Sequence, residues 1–400
     1  MKIKHKEIEV VLWTFILSIL FFQSILQAYS LVSNIALFLI AISQFIRMNG
    51  SQKVFLCVII FWLLSNVSYS VLCYNNISYS IRFGMIIFFV LSAYLWRTDY
   101  HLFFKSLFGV SLLLVISLIC LEIYMFTLSE SEYMILRDHF FKINDMGDVF
   151  WWGVYYKLEL RGTPLIVFVY MLSYVTEIFP QKHKVLFRFL YFVATICAGN
   201  FAYQLALVFF HMAYYVLDSL SHPKLFLRRM LRLCIVFLFL GGSFLAYISS
   251  QMETKKEGSA QTRVDQAEAL YNDMSQNPIT LLFGTGLGHT IEVNSNIRDY
   301  RGATYFELQT LYIFNQLGLL NFTILVLLNI FLAFRYIKRK ELLLIYGVYV
   351  TYAFTNPYIW DTNHVVVISS LLCAKAQIFS HNQNLLGYLK QVKVICNRNG

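Results

Sequence analysis

Apolar runs of about 17 residues or more recur along nearly the whole of this 400-residue chain, separated mostly by short polar stretches. A run of that length crosses the hydrocarbon core of a bilayer as a helix, because each helical residue rises about 1.5 Å. Only 14% of the residues are charged and 58% are hydrophobic, whereas an average soluble domain is roughly one quarter charged. The chain therefore reads as an all-α polytopic membrane protein, and no segment is long and polar enough to hold a large soluble domain. The formal charge of +10 does not point to nucleic acid. The cations fall in short clusters between apolar runs, as the positive-inside rule expects. The seven cysteines are scattered without a CxxC pair, and most fall in apolar runs as small buried hydrophobes do. Lys2, Lys4 and Lys6 precede the first run with no small-residue cleavage site after it, which suggests an uncleaved first span.

The runs give about twelve spans: 8–26, 29–46, 54–73, 81–96, 107–128, 164–180, 185–199, 201–219, 231–249, 309–334, 342–358 and 364–380. An even count puts both termini on one side. The basic clusters then share that side, including Lys224, Arg228, Arg229 and Arg232, the group Arg335, Lys338, Arg339 and Lys340, and the tail with Lys390, Lys393 and Arg398. Two long loops, 129–163 and 250–306, fall on the other side. Both carry more acids than bases. The expected orientation is N- and C-termini in the cytoplasm and both loops outside it.

The chemistry-bearing residues concentrate in the second loop and at its exit. Thr262 and Asp265 have the spacing of a capping box, followed by a stripe of Val264, Ala267, Tyr271 and Met274 that suits a short helix on the membrane face. Asn277-Pro278 ends it. Gly284, Gly286 and Gly288 either form an anion-binding nest of backbone N–H groups or make an ordinary flexible return loop. Their spacing is not that of a nucleotide fingerprint. Arg161 stands before span six, Arg263 in the loop-two helix, and Arg298 and Arg301 before span ten. Each can meet lipid phosphate at the bilayer surface or, together, hold a diphosphate in bidentate fashion. Glu307 is the carboxylate nearest span ten, either a solvated or salt-bridged end residue or a general base, and His289 is the alternative base or a loop hydrogen-bonder. Asp361 and His364 form a pair that lacks further partners for a metal. Gln204 and His211 lie deeper in span eight, where they can bond neighbouring helices or line a path.

Arg263, Asn277-Pro278, the run Leu282-Phe283-Gly284-Thr285-Gly286-Leu287-Gly288, then Glu307 to Leu311 and Gly318-Leu319 resemble the signature of the bacterial O-antigen polymerase and ligase superfamily. Arg161-Gly162 with Pro164 is similar to the arginine that follows the first periplasmic loop there. The likeness covers motifs in roughly the second half and the overall topology. It implies a GT-C-like inner-membrane enzyme with two large periplasmic loops. Its substrates would be undecaprenyl-diphosphate-linked oligosaccharide repeat units, and it would need no cofactor and no metal. Membrane lipids and a chain-length regulator are the other partners to expect, and nucleic acid is not. The resemblance makes Arg161, Arg263 and Glu307 catalytic candidates, and Arg298, Arg301, the three glycines and His289 substrate-binding ones. Ligases carry a His-Asn pair eleven residues before the glycine matching Gly318, and this chain has Glu307-Leu308, which favours a polymerase. It has Asn200-Phe201 where a Ser-Arg pair is often found, which puts one phosphate contact in question. A lipid-linked oligosaccharide flippase suits twelve spans equally well, but it predicts short loops and polar residues along a central path. A ligase is the third reading.

Overall fold

The computed structural model describes residues 2–26, 29–142, 147–151, 155–217, 219–235, 261–292, 301–303, 306–354, 356 and 358–398. Within them the chain is overwhelmingly helical. The helices are α1 (Lys2–Phe21), α2 (Gln23–Leu26), α3 (Ser30–Arg47), α4 (Gly50–Leu72), α5 (Ile77–Ala93), α6 (Tyr100–Met125), α7 (Glu130–Ile135), α8 (Pro164–Leu172), α9 (Lys184–Cys197) and α10 (Phe201–Leu217). After α11, described over 223–235, come α12 (Gln261–Met274), α13 (Pro278–Phe283), α14 (Gln309–Tyr336), α15 (Lys340–Phe354) and α16 (Thr362–Arg398). Among the described residues, four helices are long and apolar enough to cross a membrane by length and composition: Gly50–Leu72, Tyr100–Met125, Gln309–Tyr336 and Thr362–His381. Their outward faces carry large apolar side chains such as Phe61, Leu72, Phe331 and Phe334. So wide an apolar exterior marks a surface that faces lipid. Each other expected span holds a helix in its register, except that most of 231–249 lies outside the described residues.

Helix α8 is the hub. Every one of its residues is buried, and α6, α9, α10, α15 and α16 pack around it. A helix apolar on all sides can only sit in such a place. It is also half as long as the apolar run 164–180 predicts, because Ser173 ends it. The Ser173 carbonyl accepts from Arg188 Nη2 at 2.7 Å, and the Arg188 guanidinium lies over the Tyr174 ring at 4.0 Å.

Two departures concern the loops. The first loop departs from an all-α chain: β1 (Gly147–Trp151) pairs antiparallel with β2 (Tyr156–Leu160). The hairpin is anchored from below, where Tyr156 N donates to Glu122 Oε1 at 2.7 Å. It is pinned at its side by Lys157, which is buried against Glu159 and the Phe150 ring. In the second loop α12 is already helical at Gln261, so Thr262 lies inside the helix and the expected capping box does not start it. Asp265 accepts instead from Gln261 Nε2 at 2.8 Å. The inward face is the line Thr262, Gln266, Leu270, Met274, while Val264 and Tyr271 of the expected stripe are exposed. Packing against α14 sets the inward face, on which Gln266 meets Leu308 at the start of α14.

Candidate functional site

The site is built on a break in α14. Gly318 has φ 67° and ψ 177°, which divides the helix into an upper piece up to Leu317 and a lower piece beginning at Leu319. A non-glycine residue resists that backbone conformation. The lower piece has 18 residues, so it measures about 27 Å and suffices to cross the hydrocarbon core. The upper piece, buried over most of its length, stands above it as a post. At the break, Asn315 O and Gln316 O accept from Thr285 N and Gly286 N, each at 3.0 Å. An unbroken helix would engage those carbonyls with its own next turn.

This corrects the anion-nest reading of Gly284, Gly286 and Gly288. Their N–H groups are engaged within the protein, with Thr280 O at 2.9 Å, Gln316 O at 3.0 Å and Gln316 Oε1 at 3.2 Å respectively. The loop is gripped from the other side as well. Tyr69 donates to Gly284 O at 3.0 Å, Asn75 Nδ2 to Thr285 O at 2.8 Å, and Ser80 to Leu287 O at 2.7 Å. A side chain at Gly284 would collide with the Gln316 carbonyl, and one at Gly288 with the backbone of Tyr79 and Ser80. The glycines thus let the loop thread between α4, α5 and the kink.

Above the post, the structure brings Arg263 and Glu307 together. Arg263 Nε lies 3.2 Å from Glu307 Oε2, an ion pair without the alignment of a hydrogen bond. The Glu307 carboxylate therefore faces a guanidinium, as the salt-bridged end residue among the sequence alternatives would. One turn along α12, Gln266 is fully buried and accepts from Leu308 N at 3.2 Å. That N–H belongs to the free start of α14 and needs an acceptor. Gln266 Nε2 and Gln309 Oε1 are buried without a hydrogen-bond partner among the described residues.

Arg161 arrives from the hairpin. It follows β2 directly, its backbone N–H donates to Ser24 Oγ at 3.1 Å, and it precedes α8 by two residues. The ends of four helices are linked by contact. Tyr352 of α15 donates to Pro164 O at 2.9 Å, and Thr310 of α14 donates to Phe354 O at 3.4 Å. Gln266 of α12 then bonds to Leu308. These contacts link the start of α8 to the end of α15, the end of α15 to the start of α14, and the start of α14, beside Glu307, to α12, which carries Arg263. Arg301 is exposed on a turn beside Gly302, and Arg298 lies outside the described residues.

His289 occupies a separate position. Its Nε2 is 3.2 Å from Asp273 Oδ2 and its Nδ1 is 3.2 Å from Asn75 Oδ1. Asn75 Nδ2 donates to Thr285 O and Ser70 Oγ, which fixes the amide with its oxygen toward the ring. Both ring nitrogens therefore lie beside side-chain oxygens. Burial alone pushes the Asp273 carboxyl up, but hydrogen bonds from His289 and Asn315 and the nearby His289 charge outweigh it and hold the group below its ordinary range. Asp273 lies ten residues beyond Arg263 on α12, a rise of about 15 Å. His289 therefore serves the α12–α14 clasp, far from Glu307, with Asn315 bonding Asp273 Oδ2 at 2.9 Å and Leu270 O at 3.1 Å. Sequence reading missed Gln266, Asp273, Asn75, Asn315 and Gln316. The signal available for Asn315 and Gln316 was two adjacent polar residues inside an apolar run.

The remaining polar candidates are structural partners. Asp361 caps α16 by accepting from Asn363 N at 2.8 Å and His364 N at 3.3 Å. His364 Nε2 meets Tyr346 Oη at 3.0 Å, and that hydroxyl also receives Tyr94 and Asn329. His211 bonds Tyr170 at 2.8 Å and Gln204 bonds Tyr155 at 3.2 Å. Comparison with protein-family models, with curated proteins and with solved structures gives no match to this chain.

Proposed function

We propose that this protein is a membrane glycosyltransferase of the O-antigen polymerase type. It elongates surface polysaccharide from undecaprenyl-diphosphate-linked oligosaccharide repeat units at the outer face of the bacterial inner membrane. In this reading the chain crosses the membrane twelve times, both termini are cytoplasmic, and the loops 129–163 and 250–306 are periplasmic. The observation that carries the proposal is the Arg263–Glu307 pair, held at 3.2 Å between α12 and the start of α14. It adds to the resemblance of the surrounding motifs.

The pair suggests an order of events. In the resting state Glu307 is occupied by Arg263. A diphosphate offers the guanidinium a stronger bidentate partner and takes it over, which frees the Glu307 carboxylate. A sugar hydroxyl of the incoming unit then attacks the anomeric carbon of the growing chain. Its proton passes to Glu307, the bond from that carbon to the carrier diphosphate breaks, and the electron pair leaves with the diphosphate. Arg263 and Arg161 stabilise the charge that develops there. The diphosphate is already an activated leaving group, so no sugar nucleotide takes part. A chain-length regulator is the partner class to seek.

The test is complementation of a deletion strain with Arg161→Ala, Arg263→Ala and Glu307→Ala at matched expression. The proposal expects a single-repeat product to remain while long polymer disappears. Normal polymer in all three variants would refute it.

A further inference from the structure

A second site lies at the opposite ends of the helices, on the side of the basic clusters. A cleft of about 500 Å³ opens between the start of α4, the α5–α6 connection, the end of α14 and the middle of α16. Its walls are apolar, with Leu95, Leu372 and Phe379 among them. Two cations, Arg97 and Lys375, stand on its lining, the Lys375 ammonium also donating to the Tyr336 carbonyl. Three further lining residues carry a buried donor with no hydrogen-bond partner among the described residues: Trp96 Nε1, Thr98 Oγ1 and Ser369 Oγ. Trp96 and Ser369 are 4% and 2% exposed. Nearby carboxylates are committed elsewhere. Glu9 pairs with Arg47 at 2.9 Å and receives Gln44 at 3.1 Å, and Asp99 caps α6.

Buried donors without acceptors are costly, and an acceptor brought into the cleft would relieve that cost. Two cations and three donors around one apolar cleft fit a ligand with an anionic, acceptor-rich head and a hydrocarbon body. Phe379 is 63% exposed beside the cleft, where acyl chains would run along α16 into the leaflet. We propose that this cleft binds the phosphate headgroup of an anionic phospholipid from the leaflet on the side of the basic clusters. The inference stands apart from the polymerase reading and uses none of its residues.

Native mass spectrometry of the full-length protein, delipidated in neutral detergent and titrated with phosphatidylglycerol, tests it. Phosphatidylcholine and inorganic phosphate serve as the alternative probes. The wild type should retain phosphatidylglycerol selectively. The double variant Arg97→Gln, Lys375→Gln should bind it about thirty-fold more weakly, as two interfacial cations imply. Ser369→Ala, which removes only the hydroxyl, should weaken binding by a smaller factor while the protein stays monodisperse. Three results would each overturn the assignment: equal binding of phosphatidylcholine, equal occupancy by inorganic phosphate alone, or undiminished phosphatidylglycerol binding in both variants. A double variant that fails to fold leaves Ser369→Ala to decide.

Discussion

Replacing Gly318 by alanine probes the break in α14 that organises the site. The backbone there has φ 67° and ψ 177°, a region that costs a residue with a side chain about 1–3 kcal/mol. The added methyl also meets the amide of Gly284 head-on, with Leu282 O and the Phe283 carbonyl carbon each 2.6 Å away. Relief requires the loop to withdraw. That loosens the bonds from Thr285 N to Asn315 O and from Gly286 N to Gln316 O, each worth about 1 kcal/mol net. The sum is about 3–5 kcal/mol of destabilisation. Gly347, in α15, is the internal control, because nothing lies within 4 Å of a methyl placed there. Gly347→Ala should be neutral or stabilising by up to about 1 kcal/mol through helix propensity. Thermal unfolding of both variants in detergent, followed by a thiol-reactive dye, gives the comparison. If Gly318→Ala melts with Gly347→Ala and the wild type, the kink is not held as described.

Glu307→Gln keeps the shape of the side chain but removes the base, so polymer yield should fall by about a hundredfold or more while the protein accumulates normally. Gel analysis of surface polysaccharide at matched protein level reads this. Asp273 is held below its ordinary carboxyl range, so its pairing stabilises the fold above the unfolded value near 3.9 and that contribution fades as pH falls through the lower folded value. Asp273→Asn should therefore lower stability at about pH 6 and flatten the acid limb. Melting curves from about pH 6 to about pH 3 show whether the two proteins converge. Tyr346→Phe removes the hydroxyl shared by Tyr94, Asn329 and His364 and should cost about 1–3 kcal/mol, measured as a fall in melting temperature.

The membrane character and the positions of the helices were legible, because hydropathy reports burial in lipid directly. Helix length was less so. The run 164–180 is mostly apolar, yet α8 stops at Leu172, and the Arg188 that bonds Ser173 at its end comes from a separate segment. The hairpin was legible in principle. Tyr156, Leu158 and Leu160 alternate with Lys157 and Glu159, a period-two pattern hidden by its setting in a charged loop. Arg263 and Glu307 could be chosen as residues, but their meeting across 44 positions of chain is a tertiary fact. The role of the glycines stayed open between a nest and a return loop. Spacing announces positive φ, but whether the freed N–H groups face a ligand or the protein depends on α14. His289 was visible as a lone histidine, while its partner Asp273 lay among loop acids with nothing to distinguish it.

The central claim is chemical, and it is tested most directly by the released carrier. Wild-type protein in proteoliposomes, supplied with defined lipid-diphosphate-linked repeat units, should form a ladder of longer chains and release one lipid diphosphate for each unit joined. Arg263→Ala and Glu307→Gln should do neither. A wild-type preparation that leaves the repeat units single and releases no lipid diphosphate would contradict the account. So would one that only moves them across the bilayer.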